Sequence, residues 1–187
     1  MTAMRPAHLS FRMLMTFNQP ILPDVLSPGL RVVFCGTQAG AASAAAGQYY
    51  AGRGNKFWWV IRAVDLVPTE LKASCFRELP RYGIGLTDVA KLTSGPDSAL
   101  RSAHFDVEGL RTRIAKTLPR AIAFNGKRSA QAILGQKSSQ LCFGLQAERL
   151  VGADVFVLPS TAGLASRYWS IEPWRELAAH LAGTEAR

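Results

Sequence analysis

Apolar residues in this chain fall into short continuous runs separated by stretches with helical spacing. Arg31-Val32-Val33-Phe34, Arg120-Ala121-Ile122-Ala123-Phe124 and Val155-Phe156-Val157-Leu158 have the length and composition of buried strands. Tyr82-Gly83-Ile84-Gly85-Leu86-Thr87-Asp88-Val89 reads as a further short strand emerging into a loop. Between these runs the apolar spacing changes to three and four. Asn55–Val64 puts Phe57, Val60, Ile61 and Val64 on one face, with Asn55 in the N-cap position. Thr69–Leu79 is a second helical stretch, ended by Pro80. Asp106–Leu118 is amphipathic through Val107, Leu110, Ile114 and Leu118. Arg128–Leu134 follows the turn Asn125-Gly126-Lys127, Thr93–Asp97 is a loop, and Pro173–Leu181 is the last helix. Strands alternating with helices predict βαβ units, hence an α/β protein with a mostly parallel sheet. In such a sheet the carboxyl ends of the strands share one side, so the loops after residues 35, 87, 125 and 159 should converge.

Composition agrees with one folded unit. The chain has 187 residues, 48% hydrophobic and 19% charged, enough to bury a sizeable core. Pro20, Pro23 and the turn Ser27-Pro28-Gly29 mark residues 1–28 as an N-terminal arm before a single domain over 29–187. The segment 1–20 lacks the apolar core and small-residue cleavage site of a signal peptide, and no apolar run reaches membrane-spanning length. Cys35, Cys75 and Cys142 are far apart and form no ligand cluster with His8, His104 or His180, so no metal site is expected. Unpaired cysteines fit a reducing compartment, and a cytoplasmic location is expected, nucleoid-associated in a prokaryote. Lys and Arg outnumber Asp and Glu by 22 to 13, a formal charge of +9. This favours a polyanionic partner, nucleic acid before membrane surface.

The candidate chemistry begins at Phe34-Cys35-Gly36-Thr37-Gln38-Ala39-Gly40, where an apolar strand feeds a glycine-rich loop. No Gly-Lys-Ser/Thr follows, which argues against a nucleotide phosphate loop, and the glycine spacing fails the dinucleotide fingerprint. Further on come paired tyrosines and an aromatic helix start, Tyr49-Tyr50-Ala51-Gly52-Arg53-Gly54-Asn55-Lys56-Phe57-Trp58.

Together these segments resemble the mismatch-specific uracil-DNA and thymine-DNA glycosylase family over roughly residues 30–182. Gly36-Thr37-Gln38-Ala39-Gly40 stands where that family has Gly-x-Asn-Pro-Gly. Gly52-Arg53-Gly54-Asn55-Lys56-Phe57-Trp58 matches its helix start, and Tyr82–Asp88 is similar to its Tyr-Gly-Ile-Gly-Phe-Thr-Asn strand. Phe124-Asn125-Gly126-Lys127, Phe143-Gly144-Leu145-Gln146 and Leu158-Pro159-Ser160 continue the likeness in order. The resemblance implies a three-layer α/β/α sandwich and a monomeric, cofactor-free enzyme. Such an enzyme flips uracil out of DNA and hydrolyses its glycosidic bond, leaving an abasic site.

The same resemblance distributes roles. Tyr50 is the aromatic shelf under the flipped base, with Thr37 and Ser160 beside it. Asp88 stands where the family reads the base edge with Asn. A protonated carboxyl could do so, an ionised one could only accept, and a turn or capping Asp is the plain alternative. Gln38 replaces the water-positioning Asn with an amide one methylene longer, so Gln38, Asn55 or Asp88 could hold the water. A solvated Gln and an N-capping Asn are the alternatives. Arg53, Lys56, Lys127, Arg128 and Ser129 are candidate phosphate contacts, against ordinary solvated charge. In the loop Ser160–Arg167, Gly163 and Arg167 would contact DNA and Leu164 would fill the vacated stack, its alternative being a buried loop leucine. Two rival functions remain: excision of another base, such as hypoxanthine or mismatched thymine, and lesion binding without catalysis.

Overall fold

The computed structural model describes residues 19–163 and 169–183. Five strands form one sheet: β1 (Val32–Ala39), β2 (Ile84–Ser94), β3 (Ala121–Asn125), β4 (Gly144–Leu150) and β5 (Ala153–Leu158), in the order β2-β1-β3-β5-β4. β2, β1, β3 and β5 are mutually parallel, and only β4 runs against them. The helices are α1 (Ala41–Ala46), α2 (Phe57–Ala63), α3 (Val107–Thr117), α4 (Lys127–Leu134) and α5 (Glu172–Gly183).

Strand alternation creates two cores. Val32, Phe34, Ala123 and Phe156 point to one face, where Phe57, Ile61, Phe76, Trp174 and Leu177 cover them. Val33, Cys35, Ile122 and Val155 point to the other, under Leu110 and Ile114 of α3 and Ala130 and Ile133 of α4. The result is the expected three-layer sandwich. Asp106 caps α3 by accepting from the Gly109 amide at 2.9 Å.

Three elements depart from the sequence reading. β1 continues through Gly36-Thr37-Gln38-Ala39 rather than turning at Gly36, because this segment pairs with an equally extended β2: Gly36 faces Asp88 and Gln38 faces Ala90. Asp88 therefore sits within a strand and not on a loop. The stretch expected as a helix over 69–79 is a 3₁₀ helix over Ala73–Tyr82 that contains Pro80. Its buried residues Phe76 and Leu79 are three apart, the spacing that eclipses in a three-residue turn. β4 was not foreseen: it is an edge strand exposed along most of its length, so it carries no apolar pattern. It is joined to β5 by Val151 and Gly152, both at positive φ (51° and 84°), as a tight right-twisted hairpin requires.

Residues before β1 pack on the sheet. Val25 bridges Leu86, Leu22 is buried, and Asp24 accepts from Thr87 Oγ1 at 2.8 Å. Among the described residues no helix is long and apolar enough to cross a membrane.

Candidate active site

The carboxyl ends of β1, β2, β3 and β5 meet around a cavity of about 450 Å³, within the usual range for small-ligand sites. Its walls include Gly36, Thr37 and Gln38 from β1, Asp88 from β2, Asn125 from β3 and Ser160 beyond β5. The sheet order reverses beside β1, whose connections run to β2 on one side while β3 leads to the other. That reversal leaves a crevice at the strand ends.

Asp88 forms the floor. It is 4% exposed, and its carboxyl lies so close over Gly36 that a side chain there would collide with Asp88 Oδ1. The glycine of the first motif is thus needed to admit the carboxyl from the neighbouring strand. Burial pushes the Asp88 carboxyl up to about 6, although the Lys91 ammonium opposes the shift. Beneath it is a charged cluster. Lys91 Nζ, on a side chain 7% exposed, lies 2.7 Å from Asp24 Oδ1 and donates to Tyr49 Oη at 3.1 Å. Arg113 reaches Asp24 at 3.4 Å and Asp106 at 3.0 Å, and donates to the Asp88 carbonyl at 3.2 Å.

Tyr50 lines one wall with its ring stacked on Phe57, centroids 3.9 Å apart. Phe57 in turn packs edge-on against Phe34 and Trp58, so the shelf has a rigid backing. Tyr50 holds a positive φ of 54°, uncommon for a side-chain-bearing residue and of the kind that clusters at functional sites. Its hydroxyl is buried without a hydrogen-bond partner among the described residues; the nearby Asn125 amide is committed at both ends to Thr161. Those two bonds, 2.8 and 2.9 Å, pin the start of the Ser160 loop to β3. Trp174 of α5 supports the same loop by donating to the Pro159 carbonyl at 3.4 Å.

The remaining expected residues divide. Thr37 is buried in the cavity wall, and Ser160 Oγ accepts from the Ala162 amide. Asn55 lines the cavity, and its Oδ1 accepts from the Phe57 amide at 3.0 Å; the N-cap position of α2 falls to Lys56, one residue later than expected. The Gln38 amide nitrogen donates to the Gly95 and Pro96 carbonyls, both at 3.1 Å, while its Oε1 is buried without a partner among the described residues. Arg53 and Gly163 are exposed on the rim. Lys56 Nζ sits 5.7 Å from the Trp169 ring centroid. Lys127 donates to the Ser138 carbonyl and lies over Phe143, and Arg128 donates to the Leu100 carbonyl. Ser129 is fully buried and its hydroxyl is spent on the Gly126 carbonyl. Leu164 and Arg167 lie outside the described residues.

Asn125, Thr161 and Asp97 belong to the cavity but were not singled out in the sequence. A polar residue ending the otherwise apolar run 121–124 is a usable signal for Asn125. Nothing local marks Asp97, which the fold brings back to β1. Among the described residues no three His, Cys, Asp or Glu side chains gather as a metal-ligand group.

An open, mostly parallel α/β sheet with an aromatic-walled, carboxyl-floored cavity at its strand ends is the architecture of an α/β protein with a strand-end pocket of small-ligand size. Residues 23–180 match the uracil DNA glycosylase superfamily, and the chain belongs to that family of DNA N-glycosylases, hydrolases of the base–sugar bond. The fold is shared with a solution NMR structure from Methanosarcina acetivorans described as a candidate uracil DNA glycosylase. The TM-score is 0.60 at 23% identity, over 86% of this chain and 96% of that one.

Proposed function

We propose that the protein is a monofunctional glycosylase of the mismatch-specific uracil and thymine type. It would excise uracil from DNA as a cytoplasmic monomer without a cofactor, leaving an abasic site. The observation that carries this reading is the pairing of the Phe57-backed Tyr50 ring with the Asp88 carboxyl in one base-sized cavity. A neutral carboxyl offers one O–H donor and one carbonyl acceptor, which complement a carbonyl oxygen and the N3–H of uracil. The raised Asp88 value keeps that form accessible near neutral pH. Lys91, the buried lysine beneath the site, is held by Asp24 and Tyr49, which supports hydrolysis without a Schiff base. Arg53, Lys56, Lys127 and Arg128 are the proposed phosphate contacts, with Leu164 as the wedge and Arg167 on the opposite strand.

A second reading, excision of hypoxanthine, is favoured by the same carboxyl. Hypoxanthine presents a carbonyl beside an N–H, as uracil does, and a cavity of about 450 Å³ has room for a purine. Incubating the protein with duplexes carrying a single uracil, hypoxanthine or mismatched thymine, then heating in alkali, tests both. Strand scission with uracil supports the proposal, and scission with hypoxanthine alone replaces it. No scission with any of the three, together with tight lesion binding, leaves a binding protein.

A further inference from the structure

Asp24 comes from the segment before β1, yet its carboxylate sits in the charged cluster beneath the cavity floor. That segment runs antiparallel along the outer edge of β2. The Val25 and Leu86 amides donate to each other's carbonyls at 2.9 Å, and the Ile21 amide donates to the Lys91 carbonyl at 2.8 Å. Between those bonds Leu22 is buried and lines the cavity. Asp24 Oδ1 lies 2.7 Å from Lys91 Nζ and accepts from Thr87 Oγ1 at 2.8 Å, while Oδ2 faces Arg113 at 3.4 Å. Among the described residues Lys91 is thus paired with the arm carboxylate and the Tyr49 hydroxyl, not with Asp88 on its own strand.

We propose that Asp24 is a positioning residue for base reading: it ties up the Lys91 ammonium, so that Asp88 meets the flipped base as a neutral carboxyl. The inference rests on the glycosylase reading above and adds the arm to the site. Two opposite charges 2.7 Å apart largely cancel as felt from a third group, so Asp88 borders a dipole and not a bare cation. Beside a bare ammonium the buried carboxyl would ionise. A carboxylate only accepts hydrogen bonds, and it would repel the base carbonyl to which the neutral form donates.

The groups that face the Asp88 carboxyl come from every neighbouring element. Lys91 shares its strand, Asp24 belongs to the arm and Cys35 to β1. Tyr49 and Tyr50 lie in the loop after α1, and Asp97 in the loop after β2. Arg113 of α3 donates to the Asp88 backbone carbonyl. Burial holds Cys35, Tyr49 and Tyr50 in their neutral forms. Lys91 and the Tyr49 hydroxyl favour the ionised carboxyl, whereas Asp24 and Asp97 oppose it. Losing the Asp24 charge therefore favours the carboxylate twice over: one opposing anion is gone, and the Lys91 charge is no longer offset.

The test follows the Asp88 titration by its carboxyl-carbon NMR shift, assigned by its loss in D88N, beside the pH profile of single-turnover excision from a uracil duplex. The wild-type midpoint lies near 6. D24N keeps the shape of the arm side chain and should lower the midpoint by about one unit, the small end of the effect of a close charge. K91M should raise it by about as much. The double variant D24N/K91M, with both charges gone, should return it to the wild-type value or above. Each unit should move the alkaline limb of excision equally, about tenfold in rate at pH 8. An unmoved midpoint in D24N, or D24N and K91M shifting it in the same direction, overturns the inference and leaves the glycosylase reading intact. Midpoints that shift as expected while the excision limb stays in place overturn the part of Asp24 in base reading. A wild type inactive on uracil, hypoxanthine and mismatched thymine overturns the glycosylase reading itself, and that part with it.

Discussion

Replacing Asp88 by asparagine keeps the shape of the cavity floor and removes its titration, so stability and activity should both change with a defined pH dependence. The folded carboxyl titrates near 6 against an ordinary value of 3.8, because burial penalises the charged form more than Lys91 relieves it. A carboxyl raised in this way binds its proton more tightly in the folded state. The stability it contributes is complete below pH 3.8 and is lost as pH rises through about 6. At about 1.4 kcal/mol per pH unit, the ionised group costs about 3 kcal/mol at pH 8. Asparagine escapes that cost. The variant should be more stable than wild type by about 3 kcal/mol at pH 8, and by only about 1 kcal/mol at pH 4.5, measured by urea unfolding. In thermal melts the pH 8 difference is about 6–12 °C for a chain of this size. Excision by the wild type should decline above pH 6 as the neutral carboxyl is lost, whereas the amide, a donor and acceptor at every pH, should flatten that limb. A stability difference that does not vary with pH, or an Asn variant less stable at pH 8, would refute this account of the floor.

Gly36→Ala should drive the new methyl into Asp88, costing about 1–3 kcal/mol of stability in a melt and abolishing excision. Tyr50→Ala should weaken binding of a flipped base by about 1–3 kcal/mol, read as the difference between lesion and undamaged duplex affinity. Lys91→Met removes one partner of Asp24, which keeps Arg113, the Thr87 hydroxyl and 25% exposure, so the loss should fall below the usual range for a broken buried pair, to about 1–2 kcal/mol in urea unfolding. Single Ala substitutions at Arg53, Lys56, Lys127 or Arg128 should each lower the slope of log K against log salt by about 1 if that side chain meets a phosphate, with no change in base preference.

Much of the architecture was legible in the chain because burial on both faces leaves a strong local mark. The runs at 32–34, 121–124 and 155–158 are apolar throughout since helices cover them above and below, and they fall within β1, β3 and β5. The one-sided apolar spacing of α2 and α3 is equally visible and the last helix is legible at 173–181, whereas Asn55, a cap by residue type, lies one residue before the N-cap Lys56 and bonds only the Phe57 amide. β4 was not legible, because an edge strand that is mostly exposed has no reason to be apolar. The length of β1 and β2 was misjudged for a related reason. Glycine, threonine and glutamine favour a turn locally, and only a partner strand in register holds Gly36–Ala39 extended.

The candidate site divides along the same line. Tyr50, Asp88, Thr37, Gln38, Asn55 and Ser160 could be named from the sequence, and the fold brings them to one cavity because parallel strands point their carboxyl ends the same way. What each side chain is free to do could not be read there. The state of Asp88 depends on Lys91, Asp24 and the bare Cα of Gly36, which lie at other heights in the chain. The Gln38 amide is spent on Gly95 and Pro96, and Asp97 joins the cavity only through the chain reversal those bonds hold. Residue type and local spacing carry a fold's periodicity, whereas desolvation and hydrogen-bond competition are set by neighbours distant in sequence. The chemistry of this cavity is accordingly a property of its packing.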